Sequence, residues 1–221
     1  MAFLKAHPPF NHNHYDYETF FEFSSEKGLV LDYNEVRNFL VGQDFIHALV
    51  AGLEEEAGAA SSVVLHQIGV RWGIHDYAVF KTWCEKEFQR PLEQNNLMFL
   101  LETWWWPLVS QGWGRWEVDL SHGKQGYLMI HIYDSVIAAT LGEVGKPVCH
   151  LYAGLFAGFF SSLVHKPMAC TEIQCYSMGE TFCKFVLGSE EHIRAAETWF
   201  NAGARAKEIE ARLQAGERLA P

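Results

Sequence analysis

Two short runs of alternating apolar and polar residues, TFFEFS and LVLDY, flank Glu26-Lys27-Gly28 and read as β-strands joined by a turn. From Gln43 the period changes. Phe45, Leu49 and Leu53 recur at every fourth position before Glu54-Glu55-Glu56 and Gly58, which predicts a helix over 43–57 with those residues on its packed face. A longer helix over 61–88 carries Val64, Ile68, Trp72, Val79 and Trp83 at helical spacing and is broken by Pro91. A third helix over 92–106 is expected to end at Pro107. GWGRWEVDL and GYLMIHIYDS then alternate around Ser121-His122-Gly123-Lys124 as a hairpin. A short helix over 135–142 leads through Gly145-Lys146-Pro147 into an apolar helix over 148–165. A second hairpin and an amphipathic helix over 190–214 follow. Strands paired in hairpins, without βαβ alternation or internal repeats, predict an α+β single domain with helices packed on antiparallel hairpins.

Composition narrows the function. Of the 221 residues 49% are hydrophobic, enough for one substantial core, and eight Trp with sixteen Phe demand large buried cavities for their rings. The net charge of −10, from 27 acidic and 17 basic residues, and the lack of a basic stripe exclude a nucleic-acid groove. The most apolar stretch, VCHLYAGLFAGFFSSLV, falls short of the ~20 residues that span a bilayer and reads as a buried helix. Without an apolar leader, and with an odd five cysteines, the expectation is a reducing, cytoplasmic setting with thiols rather than disulfides. Residues 1–17, which include HPPFNHNH, read as an extended, solvated arm.

The chemistry concentrates in CTEIQCYSMGETFC, residues 170–183. A hairpin with strands over 168–176 and 181–187 and a loop of Met178-Gly179-Glu180, Gly179 left-handed, sets Cys175 opposite Cys183. Opposed residues have Cβ atoms roughly 5 Å apart, close enough for two thiolates to share an ion. Period-two alternation turns Cys170 and Glu172 to the other face unless a bulge intervenes, and Cys149 could complete the set if its helix packs over the hairpin. The residues alone leave a zinc site and a cluster of buried thiols both open.

The run KPVCHLYAGLFAGFFSSL…ACTEIQCYSMGETFCKFVLG resembles the signature of the 4-vinyl reductase domain family, most clearly over 112–188. That likeness implies a 4-vinyl reductase-type ligand-binding domain over 18–188, with a C-terminal helix and tail over 189–221. In the phenol-sensing relatives the matching positions bind zinc, which implies a structural Zn²⁺ held by Cys149, Glu172, Cys175 and Cys183 as a clasp on the C-terminal hairpin. Lys146, Lys166 and Lys184 are candidate cations beside so negative a site. No base is implied beside Cys175 or Cys183, so catalytic cysteine is not expected.

The family also implies a pocket for hydrophobic or aromatic molecules. Three consecutive Trp on a helix sweep about 200° of its circumference, so at least one of Trp104, Trp105 and Trp106 is expected at a pocket, an interface or solvent. Trp113, Trp116 and His131 are further candidates to line the pocket, although a satisfied core histidine is the commoner reading of His131, His66 and His75. Small residues at Ala153, Ala157 and Ser161, and at Gly154, Gly158 and Ser162, give the apolar helix a flat face for close packing or for a ligand. The chain lacks a GxGxxG loop, which weighs against a vinyl reductase of (bacterio)chlorophyll synthesis. The favoured expectation is a zinc-containing carrier or assembly factor for a tetrapyrrole, homodimeric and meeting photosynthetic assembly partners. A ligand-free interaction module is the further alternative.

Overall fold

The computed structural model describes residues 20–219. Its contacts define two compact units, one from residues up to 42 with 78–113 and one from 43–77 with 114 onward. The α+β class holds in both.

The first unit opens with a meander of β1 (Phe21–Ser24), β2 (Leu29–Asp32) and β3 (Arg37–Asn38), in that order and antiparallel, with Gly28 taking the positive φ of the first turn. It also holds the second part of helix α2 (Ser61–Phe88; α1 is Gln43–Ala57) and all of α3 (Leu97–Ser110). Helix α3 starts at Asn96, whose side chain accepts the Phe99 amide at 3.2 Å, after a separate turn over Leu92–Gln94. Pro107 does not end it: α3 runs on to Ser110, with Gln111 N–H donating to the Pro107 carbonyl. A proline costs the helix its own N–H bond but not the carbonyls beyond it. Trp104, Trp105 and Trp106 are all buried, so none faces solvent as the sweep argument allowed. Helix α3 is apolar on every side, with Phe99, Leu100, Leu101 and Leu108 also buried, which makes it a central rather than a surface helix. Phe20 meets Trp106 edge-on at 4.8 Å.

The second unit is built on a four-stranded antiparallel sheet in the order β4 (Arg115–Asp119), β5 (Tyr127–Tyr133), β7 (Cys183–Gly188), β6 (Ala169–Gln174). Helix α4 (Val136–Leu141) and helix α5 (His150–Val164) come between β5 and β6. Helix α5 lies on one face, where Phe156 stacks on Trp116 and meets Phe185 edge-on at 5.4 Å. On the other face, Met129, Ile173 and Val186 pack with α6 (Glu190–Asn201) and α7 (Ala206–Gln214) through Ile193, Trp199 and Ile209. The predicted single closing helix is thus two, parted where Gly203 adopts a φ of 94°.

Helices α1 and α2 bury different faces from those the aliphatic spacing predicts. In α1 the buried residues are Ile46 and Val50, while Phe45 is 49% exposed. In the first part of α2, Leu65, Gly69, Gly73 and Tyr77 face inward, whereas Val64 and Ile68 are exposed. The glycines decide this. A Cβ on Gly69 or Gly73 would lie 2.2 Å from the Leu151 or Leu155 carbonyl of α5, and one on Gly154 would lie 2.0 Å from the His66 carbonyl of α2. The small-residue face of α5 therefore serves close helix packing and is not free to floor a ligand. His75 is exposed, against the core reading, while His66 is half-buried and hydrogen-bonded to the Cys170 carbonyl.

Candidate metal centre

Three segments of the second unit converge at one end of α5. Strands β6 and β7 pair Ala169 with Gly188 and Glu172 with Phe185, but Gln174 with Lys184, so Ile173 is an extra residue in β6. The bulge is the one condition under which Glu172 and Cys175 share a face. Beyond it the register carries Cys175 opposite Cys183, on the side where Phe185 meets α5. A 3-10 turn over Tyr176–Met178 and a left-handed Gly179 close the hairpin, so both strands are shorter than the sequence predicts. Cys149 arrives from the start of α5, whose N-cap it is.

The result is a compact donor cluster. One ligand atom from each of Cys149, Glu172, Cys175 and Cys183 can be chosen so that all lie within 4.8 Å of one another, and all four residues are buried. The sulfurs are 4.0 Å (Cys149–Cys175), 3.7 Å (Cys149–Cys183) and 3.6 Å (Cys183–Cys175) apart. Glu172 Oε2 accepts the Cys149 backbone N–H at 2.9 Å, while its Oε1 is buried with no hydrogen-bond partner. A buried oxygen without a donor is costly, and a cation is one of the few things that relieves it here.

The electrostatics point the same way. Burial pushes the Cys149 thiol and the Glu172 carboxyl well above their ordinary values. Cys175 moves down, because it accepts hydrogen bonds from Cys149, Cys183 and Ser177. For Cys183 the bond with Cys149 works downward, but its bond to Cys175 and burial leave it raised. Four acidic groups packed out of water ionise together only around a positive ion, so the cluster could hold a metal.

A second layer orients the donors, and sequence reasoning missed it. The Ser135 hydroxyl, fully buried, sits 3.4 Å from Cys149 Sγ and caps α4 through the Ala138 amide. The Ser177 hydroxyl lies 3.0 Å from Cys175 Sγ and donates to the Lys146 carbonyl. Only the Ser135-Val136 helix start gave a sequence signal, as a cap. Lys184 is not a counter-charge to the cluster: it points to the opposite face and pairs with Glu210. Lys146 is engaged with Glu54 at 2.9 Å, and Lys166 is exposed.

The expected pocket residues are scattered. Trp116 pairs with Ile132 and faces Phe156, whereas His131, one residue along β5, pairs with Glu117 on the other face of the sheet. They cannot line one space. Trp113 is half-buried and donates from its ring N–H to Gln111. Burial, then Lys184, lower the His131 pKa, and its ring lies 5.0 Å from Phe182. None of these six lines a cleft of about 510 Å³ in the second unit, whose wall includes Val148 and His150, the neighbours of Cys149.

Residues 128–189 match the vinyl-4-reductase domain family, which bears out the resemblance read from the motif. Two proteins of Methanocaldococcus jannaschii, uncharacterized protein MJ1642 and uncharacterized protein MJ0150, are 30% and 21% identical over 76 residues. The alignments cover 34% of this chain and span less than half the length of the relatives, 47% and 44%. Among solved structures, the phenol-responsive sensory domain of the transcription activator PoxR, determined with phenol, shares the fold. Its TM-score is 0.63 at 20% identity, covering 82% of this chain and 90% of that domain. A vinyl-4-reductase family protein, also from M. jannaschii, aligns at a TM-score of 0.47 and 15% identity over 68% of this chain and 82% of its own. Among the described residues, no helix is long and apolar enough to cross a membrane.

Proposed function

We propose that this chain is a small-molecule-binding protein whose domain is clasped by a structural zinc ion. The observation that carries the zinc is the spacing of the three sulfurs. A tetrahedron with Zn–S bonds of about 2.3 Å has edges of about 3.8 Å, against the 3.6, 3.7 and 4.0 Å separations here. Three thiolates and the free Oε1 of Glu172 would fill the coordination sphere and leave no position for water or substrate. Soft sulfur donors favour zinc over magnesium or calcium. When bound, the ion supplies no reactive group: it ties β6 and β7 to the start of α5.

The ligand class in this reading is aromatic. Its support is the family match over 128–189 and the fold shared with a domain solved with phenol. A tetrapyrrole, either a chlorophyll precursor or a bilin, remains the larger candidate, with the chain acting as its carrier or assembly factor. A homodimer belongs to the same reading and draws support from the exposed aliphatic side chains of α2: Val63, Val64, Ile68 and Ile74.

Purification from a pigment-making host, with elemental analysis, absorbance and sedimentation on one sample, tests the three parts. Stoichiometric zinc that is lost in Cys175→Ser is expected. Zinc retained in full by that variant would remove the ligand assignment. Phenol and a tetrapyrrole are then titrated into the purified protein, and failure of both to bind removes the small-molecule reading. A monomer at every concentration removes the dimer.

A further inference from the structure

The cleft beside the metal centre has the make-up of a ligand site. Helix α1 supplies Val50 and Glu54, the start of α2 supplies Ser61 and Leu65, and the segment before α5 supplies Lys146 and Val148. Its volume, about 510 Å³, is in the range of sites for drug-sized molecules.

Three properties define what it would take. Its charges are already balanced: Lys146 and Glu54 pair with each other at 2.9 Å, and burial, then His66, hold the His150 ring toward its neutral form. An ionic ligand would have to break that pair. Its wall is largely aliphatic, from Val50, Leu65, Pro147 and Val148. Ser61 is only 6% exposed, yet among the described residues its hydroxyl has no hydrogen-bond partner. A buried hydroxyl left unpaired is costly unless a group in the cleft meets it.

The wall is also held rigid. Gly145 N–H donates to the Ser177 carbonyl at 2.7 Å, the Ser177 hydroxyl donates to the Lys146 carbonyl, and Cys149 N–H donates to Glu172. Residues 145–149 thus form a strap fastened at both ends to the donor cluster, and a wall that does not move on binding spares a ligand the cost of ordering it.

We propose that this cleft binds an uncharged, mainly apolar ring molecule through one hydroxyl or carbonyl group paired with Ser61. The proposal rests on the small-molecule reading above and adds to it the place and the charge of the ligand. The test is titration of the full chain with 1-naphthol, naphthalene and 1-naphthalenesulfonate, followed by ligand-observed NMR. In the native protein, 1-naphthol should bind most tightly and the sulfonate at least about tenfold more weakly, since a tenfold ratio is 1.4 kcal/mol.

Ala59, exposed and on the rim, can be enlarged without disturbing the core. Ala59→Trp should abolish naphthol binding while zinc content and melting temperature stay unchanged. Ser61→Ala should weaken 1-naphthol about threefold to tenfold, the range of one neutral hydrogen bond, and leave naphthalene unaffected. Naphthol binding that survives Ala59→Trp overturns this site but keeps the small-molecule reading. A native protein that binds neither naphthol nor phenol sinks the reading itself. Equal or tighter binding of the sulfonate overturns the ligand class.

Discussion

Replacing Gly154 by Ala is a severe perturbation for a single added methyl group. The new Cβ would stand 2.0 Å from the His66 carbonyl and 2.8 Å from the Val70 amide, against an ordinary contact of 3.4–4 Å. Both obstacles are backbone atoms of α2, so no side chain can turn aside, and the two helices must separate by more than 1 Å. Overpacking of this kind costs about 1–3 kcal/mol, and the rigid obstacle puts this case at the upper end. Helix propensity works the other way by about 1 kcal/mol, since alanine is the better helix former. The net expectation is a loss of about 2 kcal/mol, or a fall in melting temperature of about 4–8 °C for a chain of this size. Gly52→Ala in α1 is the internal control. Nothing lies within 4 Å of a Cβ there, and the position is exposed, so the same chemical change should stabilise by about 0.5–1 kcal/mol. Urea denaturation of both variants alongside the native protein decides the matter. If Gly154→Ala is neutral or stabilising like Gly52→Ala, the backbone contact between α2 and α5 is wrong.

Other consequences can be measured with the same preparations. Phe156→Ala removes a fully buried ring that meets Trp116, Tyr152 and Phe185 and should cost about 3–5 kcal/mol in urea denaturation; a loss below about 1 kcal/mol would contradict its central place. Ser135→Ala removes the α4 cap and the contact with Cys149 and should lower metal affinity by about tenfold or more in a chelator competition, with unchanged affinity assigning Ser135 to the cap alone. Burial and the Arg218 charge lower the His192 pKa from its ordinary 6.5. The native state then binds fewer protons than the unfolded chain, so stability is full above about pH 6.5 and falls as pH drops from there toward the folded pKa. His192→Asn should flatten that slope in denaturation midpoints taken between about pH 7.5 and 5, and an identical slope would rule out this histidine as its source.

Local signals were readable where local chemistry decides. The turns at Gly28 and Gly179, the helix over 43–57 and the opposition of Cys175 to Cys183 follow from turn residues and periodicity, and the structure keeps them. The bulge at Ile173 was named only as a condition, because nothing in ACTEIQC marks which residue a strand will leave unpaired. The buried faces of α1 and α2 were misjudged for a different reason. Aliphatic spacing cannot tell a stripe facing a partner helix from one facing solvent, and here the close contact selected glycine over valine and isoleucine. Pro107 misled in the same way, since its lost N–H is tolerated in a helix buried on all sides. Three adjacent tryptophans need an exposed member only if the helix has an exposed side, and α3 has almost none.

The strand order β4-β5-β7-β6 bears on how the chain assembles during synthesis. Strand β5 emerges first but pairs on one side with β7, made only after α4, α5 and β6 have been added. Until then it waits with an open edge, a state prone to pairing with the wrong chain. The later hairpin is self-sufficient by contrast. Glu172, Cys175 and Cys183 all lie within residues 169–188, so three of the four donors can gather as soon as β7 is made, before the sheet is complete. Cys149 is the late arrival in space although it is the first in sequence, and its docking brings α5 down on the sheet. The order of translation and the order of closure therefore run in opposite directions through this cluster.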